Sequence, residues 1–582
     1  MPRFSILLDK NDEEDNNNNF NAKEARLLNL AQKAWGISLK EFYYPPLNEP
    51  HYVFDYTHKE GFYIDPNHKW QITMNLANTP LFREDMEYID FFNSIMMHEI
   101  GHYQIIPYDG LTNANLLKAA MKYVNQNFAS VVVNLFSDLI IDKTLYKKYP
   151  KLVSWELKSL YTHLTENGNL SEFSKMLFSL YECILDIKID VDGIFFSDSG
   201  LIERISNTVL KNFYDETKWE KKVSKIAYYL RDLINDTFTI IGKGVKCKKG
   251  NSRRKSAERG GHDIEVPDDV LEIMDNPLEN RNSDKLKENN QDDLRSKAEE
   301  FAKNSHYSEF GAPASQAGIL LDASPLRTWY RGKAKDLIEI KVLEEKPRGE
   351  LPIYPEVWRI GDPIEELDIV QTLLNSPVII PNITTRKWAY KLGIGKLEEK
   401  EIPDLLIVLD SSGSMGWNYN AHSEKAKGPY HTALIAAFAS LYYAAKKGVK
   451  FSVINFSNKA DICTWTNNYE EAESTLLHYQ GGGTVLPMKE IQKQCENSDK
   501  KVLVFIITDF GIYNWSSAKK SMLNLIQKGH KLVGFFIGSS KIPKSKFGEL
   551  LNKVTFYPIK NTRDLINLVI EEVKKFYDSL II

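Results

Sequence analysis

Cysteine is scarce in this chain. Its four cysteines, Cys183, Cys247, Cys463 and Cys495, are scattered over 582 positions with no C-x-x-C pair. That spacing excludes a disulfide framework and a thiolate zinc site, and it makes a reducing cytoplasm the expected compartment. Long apolar runs are missing too: none approaches the ~18 residues that span a bilayer. The first ten residues hold too few apolar side chains for a signal peptide. No membrane association is therefore expected. Neither sign of charge dominates, since 74 Lys and Arg face 78 Asp and Glu for a net charge of −4, which gives no general attraction to nucleic acid. A phosphate-binding G-x-x-x-x-G-K-[ST] loop is also absent, so any ATP hydrolysis must come from another chain.

What is present is an ordinary globular composition, 43% hydrophobic and 12% aromatic, in a chain long enough for two or three domains. Helical spacing of apolar residues predicts a helix from about Ala22 to Trp35, ended by Gly36. Strand-like runs follow at Gly61 to Ile64 and Trp70 to Asn75. A helix from between Pro80 and Asp85 to about Gln104 then carries His98-Glu99-Ile100-Gly101-His102. Residues four apart share a helix face, so both imidazoles can reach one point, with Glu99 beside it. That arrangement suits a zinc ion held by His98 and His102, with Glu99 acting on a water. The plainer alternative is two histidines that pack or cap a helix. Gly101 costs such a helix about 1 kcal/mol relative to alanine, a cost that close approach of a neighbouring backbone would explain.

A third ligand comes from residues 131–142, which are apolar almost all round and so predict a buried helix. Asn134, Asp138 and Asp142 form one polar stripe along it. Buried carboxylates need a compensating charge, and a metal with two histidines supplies one. Asp138 is read as the third ligand and Asp142 as the acceptor that orients a ligand histidine, with Asn134 in support; the exchange of Asp138 and Asp142 stays open. Tyr103 and the Pro107-Tyr108-Asp109-Gly110 turn are weaker candidates for an oxyanion hydroxyl. Amphipathic helices are expected from about Leu152 to Ile240, and the whole of 1–242 reads as one mainly α (α+β) domain. Residues 243–311, basic over Lys243 to Arg259 and then rich in charged and amide groups, read as a linker with a helix near Gln291 to Lys303. Residues 312–400 read as a connecting segment packed on the last domain.

From 401 to 582 the pattern alternates between strands and helices. Strands are expected at Asp404 to Leu409, Lys450 to Phe456, Val502 to Ile507 and Lys531 to Ile537. Helices are expected at Tyr430 to Lys447, after Pro487, and from about Thr562 to Tyr577. This is the pattern of a doubly wound, Rossmann-like α/β domain, with ligands at the carboxyl ends of its strands. The first strand runs into Asp410-Ser411-Ser412-Gly413-Ser414, Thr484 follows Gly481-Gly482-Gly483, and Asp509 ends another strand.

Two family resemblances follow from these residues. H-E-x-x-H at His98 to His102 resembles the zincin metallopeptidases, and the Asp138/Asp142 spacing is similar to that of gluzincins, with Asp where they carry a Glu ligand. The D-x-S-x-S of Asp410, Ser412 and Ser414, with Thr484 and Asp509, resembles the metal-ion-dependent adhesion site of von Willebrand factor A (VWA) domains. These resemblances imply a zinc-dependent peptidase acting on a peptide or protein substrate, joined to a VWA domain. That domain would hold Mg2+, a fit for five hard oxygen donors, and dock a protein partner through it. Intracellular relatives of this kind imply a MoxR-type AAA+ ATPase as partner. The alternative is a non-catalytic VWA adaptor of such an ATPase complex, with a structural or degenerate zinc domain.

Overall fold

A computed structural model describes residues 21–56, 62–65, 71–106, 110–190, 194, 196–241, 263–265, 267–274, 291–320, 324–344, 352–390, 403–417, 428–537, 547–559 and 562–577. The chain divides into two compact units, Met1–Phe301 with Glu309–Ala323, and Ala302–Ser308 with Ser324–Ile582. It is a multidomain protein that is largely helical and contains one six-stranded mixed sheet. Among the described residues no helix is long and apolar enough to cross a membrane.

The first unit opens with α1 (Ala22–Glu41), followed by β1 (His51–Val53), β2 (Phe62–Asp65) and β3 (Gln71–Asn75). These strands form a sheet in the order β1-β3-β2, with β1 parallel and β2 antiparallel to β3. The helices α2 (Asp85–Gln104), α3 (Gly110–Ala120), α4 (Ala129–Lys148), α5 (Pro150–Asn167), α6 (Glu172–Leu185), α7 (Ser199–Leu210) and α8 (Trp219–Thr237) make up the body. After them come β4 (Thr239–Ile241), β5 (Asp263–Glu265), α9 (Asp268–Ile273), α10 (Gln291–Lys303) and α11 (Gly311–Gln316).

α1 starts where Asn21 and Glu24 cap each other reciprocally, each backbone N–H donating to the other's side chain at 2.9 Å. Contrary to the expectation from Gly36, the helix runs one and a half turns further. On the extension Ser38 is buried and Leu39 packs against the α1–α2 core, and Ser38 Oγ donates to Asn93 Oδ1 of α2 at 2.7 Å. Those contacts outweigh the cost of about 1 kcal/mol for one glycine.

α2 is a wall between two cores. Phe92, Met96 and Ile100 pack with α1 and β3, while Met97 joins the larger core built on α4, α6 and α8. α4 is buried on every side from Ala129 to Ile141, as its composition requires. Part of the stretch read as a linker is built into this unit: β5 pairs with β4, and Val270 and Met274 join the larger core. The basic run from Lys243 to Arg259 lies outside the described residues.

The second unit contains α12 (Pro325–Glu344), β6 (Pro352–Val357), α13 (Ile369–Asn375), β7 (Arg386–Tyr390), β8 (Asp404–Asp410), α14 (Pro429–Lys446), β9 (Phe451–Phe456) and β10 (Ala460–Thr466). It continues with α15 (Tyr469–Leu477), α16 (Met488–Glu496), β11 (Val502–Thr508), α17 (Trp515–Gln527), β12 (Lys531–Ile537), β13 (Thr555–Ile559) and α18 (Thr562–Tyr577). The sheet order is β10-β9-β8-β11-β12-β13, parallel except for β10, which turns back antiparallel on β9.

Leu406 and Val408 of β8 pack with Ile491 of α16 and Met522 of α17. α14 packs against β8, β9, α12 and α18. β8 lies between β9 and β11, so the chain leaves it first to one side and later to the other. The carboxyl end of β8 is therefore where a parallel sheet opens a crevice.

Candidate functional site

α2 and α4 bring the first constellation together. His98 Nε2 lies 3.6 Å and His102 Nε2 3.4 Å from Asp138 Oδ1, and one ligand atom from each of the three residues lies within 4.8 Å of the others. Ligands about 2.0–2.2 Å from a tetrahedral zinc sit about 3.3–3.6 Å apart. The 3.4 and 3.6 Å separations match that spacing and are long for direct hydrogen bonds. Asp138 Oδ1 is buried and makes no hydrogen bond of its own, as suits an oxygen facing a cation. Glu99 is buried on the same helix, at 2% exposure.

Behind these groups, Asp142 Oδ1 meets His98 Nδ1 at 2.7 Å. That contact takes up Nδ1 and leaves Nε2 for the centre, which is the role expected of a carboxylate that orients a ligand histidine. Asn134 Nδ2 donates to the other Asp138 oxygen, Oδ2, at 3.3 Å. The geometry thus sets Asp138 toward the two Nε2 atoms and Asp142 toward Nδ1. Gly101 explains how the helices come so close, because a Cβ there would lie 2.5 Å from Ile141 Cγ2. The neighbour is a side chain of the ligand helix rather than the backbone expected from sequence.

The electrostatics favour a cation. Burial works against a charged His98, but Asp142 and Asp138 outweigh it and raise its pKa well above the ordinary value. Burial likewise works against a charged Asp138, and the two histidines outweigh it and hold its carboxyl below the usual range. Two groups escaped the sequence reading. Burial, reinforced by the charge of Asp142, pushes Glu156 of α5 up to about 8. Tyr181 of α6 is buried, and its phenol pKa is raised by burial and by the nearby Asp142 and Asp138 carboxylates. Both lie on helices of ordinary amphipathic pattern, with no motif to mark them. Tyr103 packs at the edge of the α1–β3 core, and Pro107, Tyr108 and Asp109 lie outside the described residues.

The second constellation gathers at the end of β8. Ser412 N donates to Asp410 Oδ1 at 2.9 Å, Thr508 Oγ1 donates to Asp410 Oδ2 at 2.5 Å, and Ser412 Oγ and Ser414 Oγ are 3.2 Å apart. The glycine loop is laced to this turn: Gly413 N donates to Gly482 O at 2.7 Å and Gly481 N to Ser411 O at 2.8 Å. Thr484 and Asp509 both border Gly511, whose Cβ would lie 3.8 Å from Thr484 Oγ1 and 3.5 Å from Asp509 Oδ1. Burial raises the pKa of the Asp410 carboxyl and the charge of Asp509 adds to it, opposed by hydrogen bonds from Thr508 and Ser412. All five expected donors therefore come from three loops at one sheet edge. Thr508, the residue before Asp509, is a further support for Asp410 that the sequence pattern did not single out.

Comparisons with known proteins add little. No protein-family model matches the chain, and no curated protein matches it. Two crystal forms of proximal thread matrix protein 1 from the mussel byssus align with 30% of this chain and 47% of their own, at 15% and 14% identity and TM-scores of 0.24 and 0.23. The chain spans about half the length of those structures, and likeness at that level carries no argument.

Proposed function

We propose that this protein is a zinc-dependent peptidase, zincin-like in its first unit, joined to a magnesium-dependent docking unit of the VWA type. The observation that carries the reading is the approach of His98 Nε2 and His102 Nε2 to Asp138 Oδ1, with Glu99 between the two histidines in sequence. Bound zinc supplies a Lewis acid that polarises an amide carbonyl and lowers the pKa of water to about 7. The chain's own groups provide the rest. Asp142 fixes the orientation of His98, Asn134 restrains Asp138, and Glu99 takes the proton of the attacking water and returns it to the leaving amine. The side chain of His98 is 22% exposed, which gives substrate a side from which to approach.

For the second unit, support comes from the hydroxyl and carboxylate donors Asp410, Ser412, Ser414, Thr484 and Asp509 at the carboxyl edge of a largely parallel sheet. These residues would hold Mg2+, which would supply a charge for a partner's carboxylate, and the family resemblance makes a MoxR-type AAA+ ATPase in the cytoplasm the partner. The burial of Glu99 favours the rival reading, an adaptor whose zinc is structural.

The experiment that separates them sets zinc-loaded wild type beside Glu99→Gln, with the partner present, on a panel of unfolded proteins and in self-processing assays. Cleavage by wild type that the variant lacks supports the peptidase; no difference between the two removes it. Docking is tested by Asp410→Ala and Thr484→Ala, and partner capture that survives both changes and EDTA overturns the ion-bridged model.

A further inference from the structure

Between β6 and β7 the chain inserts residues 358–385, which carry α13 and fold with the two strands into a small module. The interior of that module is polar. Trp358 Nε1 donates to Pro363 O at 2.9 Å, Trp388 Nε1 to Asp368 Oδ2 at 2.8 Å, and Thr385 Oγ1 to Trp358 O at 2.7 Å. Thr372, 1% exposed, receives the Arg386 N–H at 2.9 Å and donates to Asp368 O at 2.7 Å. The exterior is apolar, with ten aliphatic residues between Ile360 and Ile383 that are 43% to 75% exposed. On α13 the pairs Ile369/Leu373 and Val370/Leu374, each four apart, make an outward stripe, while Thr372 turns inward.

This is the reverse of the usual pattern, in which a helix buries its apolar face and exposes its polar one. Because the interior is already hydrogen-bonded, the aliphatic surface has no vacant core of its own to enter. At these exposures it amounts to roughly 1,000 Å2, against about 300–600 Å2 for the largest apolar patch of an ordinary monomer and about 800 Å2 for each side of a standard interface. Its rim carries both signs: Arg359, Glu365 and Glu366 are exposed, and Lys387 pairs with Asp362 and Glu366. A partner of one strong charge would face a rim half of which repels it, and an anionic bilayer would meet the two glutamates. A second copy of the same surface carries the same mixture of signs and so offers each charge an opposite one.

We infer that the α13 module is a self-association surface, covered in solution by the same face of a second copy of this chain related by a two-fold axis. The inference is independent of either metal site. It is tested by sedimentation velocity of the full chain over about 0.5–50 μM, a range that brackets ordinary stable dimers. The expected species is a dimer of the 66.9 kDa chain.

Val370→Asp combined with Leu374→Asp is expected to raise the dimer dissociation constant at least about 100-fold. Leu81→Asp, at an equally exposed apolar position in the first unit, is expected to leave it unchanged. Unaltered circular dichroism and melting of the double variant exclude unfolding as the cause. A wild type that stays monomeric over the range, or a double variant that dimerises as well as wild type, overturns the inference. So does a monomeric wild type that binds phosphatidylcholine–phosphatidylserine vesicles through these residues.

Discussion

Replacing Asp142 and Asp138 one at a time tests the division of labour between the two carboxylates of α4. Asp142 reaches the proposed zinc only through His98, by the 2.7 Å contact at Nδ1. Asp142→Asn keeps the shape and loses the charge, so His98 is held less firmly and is a weaker donor. Loss of such a supporting carboxylate lowers metal affinity about 10- to 100-fold, or about 1.4–2.7 kcal/mol. Asp138→Asn acts on the oxygen that faces both Nε2 atoms, at 3.4 and 3.6 Å. It removes a negative charge in direct reach of the ion at a position only 4% exposed, where water cannot easily replace it. Its loss is expected to exceed that of Asp142→Asn by about 10-fold or more. The assay is zinc competition against a chromophoric chelator at pH 7, with circular dichroism as the check on folding. If Asp142→Asn proves the more damaging of the two, the roles are exchanged and the reasoning from Nδ1 and Nε2 is refuted. If neither changes affinity, these residues do not form the zinc site.

Three further outcomes follow from packing and burial. Gly101→Ala gains about 1 kcal/mol of helix propensity but brings a methyl to 2.5 Å from Ile141 Cγ2, so a net loss of about 1–3 kcal/mol is expected in urea unfolding. Ile141→Ala in the same chain should remove that penalty, seen as non-additivity in a double-mutant cycle. His431, which contacts the Tyr330 hydroxyl at 2.9 Å, is pushed down to about 4 by burial, with Lys333 adding to the shift. Below about pH 6.5 the unfolded chain binds the proton that the folded chain refuses, so stability falls as pH drops, by about 2 kcal/mol between pH 7 and pH 5. The His431→Asn variant should lack that increment in paired urea titrations, and an identical pH slope in both proteins would falsify the assignment. Glu473 grips buried Arg331 through contacts of 2.8 and 2.9 Å at Nε. Glu473→Leu alone should cost about 3–5 kcal/mol, whereas the pair Arg331→Met with Glu473→Leu should come close to neutral by thermal melting.

The sequence was most legible where one periodicity ran uninterrupted. α2 ends at Gln104 as expected, because the apolar spacing and the residues after it agree. The stripe Asn134, Asp138, Asp142 could be read only because everything around it on α4 is apolar. The central strands β8, β11 and β12 appear as largely apolar runs, and β9 as an apolar run broken by Ser452 and Asn455. Edge strands were not legible. β10 has a mixed, partly exposed pattern, and β13 contains Pro558, which only a strand without a neighbour on one side tolerates easily. Gly36 misled because its local cost is small beside the packing of Ser38 and Leu39, which depends on a helix more than fifty residues away. Glu156 and Tyr181 belong to the first site through tertiary placement alone. The inverted α13 module lies in a stretch that the sequence marks only as a connecting segment, because its character depends on which groups are buried.

The strand order of the six-stranded sheet also sets a timetable for synthesis. β8 is made first, and all seven of its residues end up buried. One flank, β9, follows after a single helix, but the other is β11, ending at Thr508, which is 98 residues beyond Asp410. At about 5–20 residues per second the ribosome needs roughly 5–20 s to deliver it. For that interval a strand destined for full burial has an open edge on which another chain can pair, and Thr508 is not yet available to hold Asp410. The first site has a delay less than half as long, since His98 and Asp142 are only 44 residues apart. The nascent protein can therefore complete its proposed zinc pocket well before its adhesion-type ion site exists, and the period of greatest exposure to aggregation falls between the two.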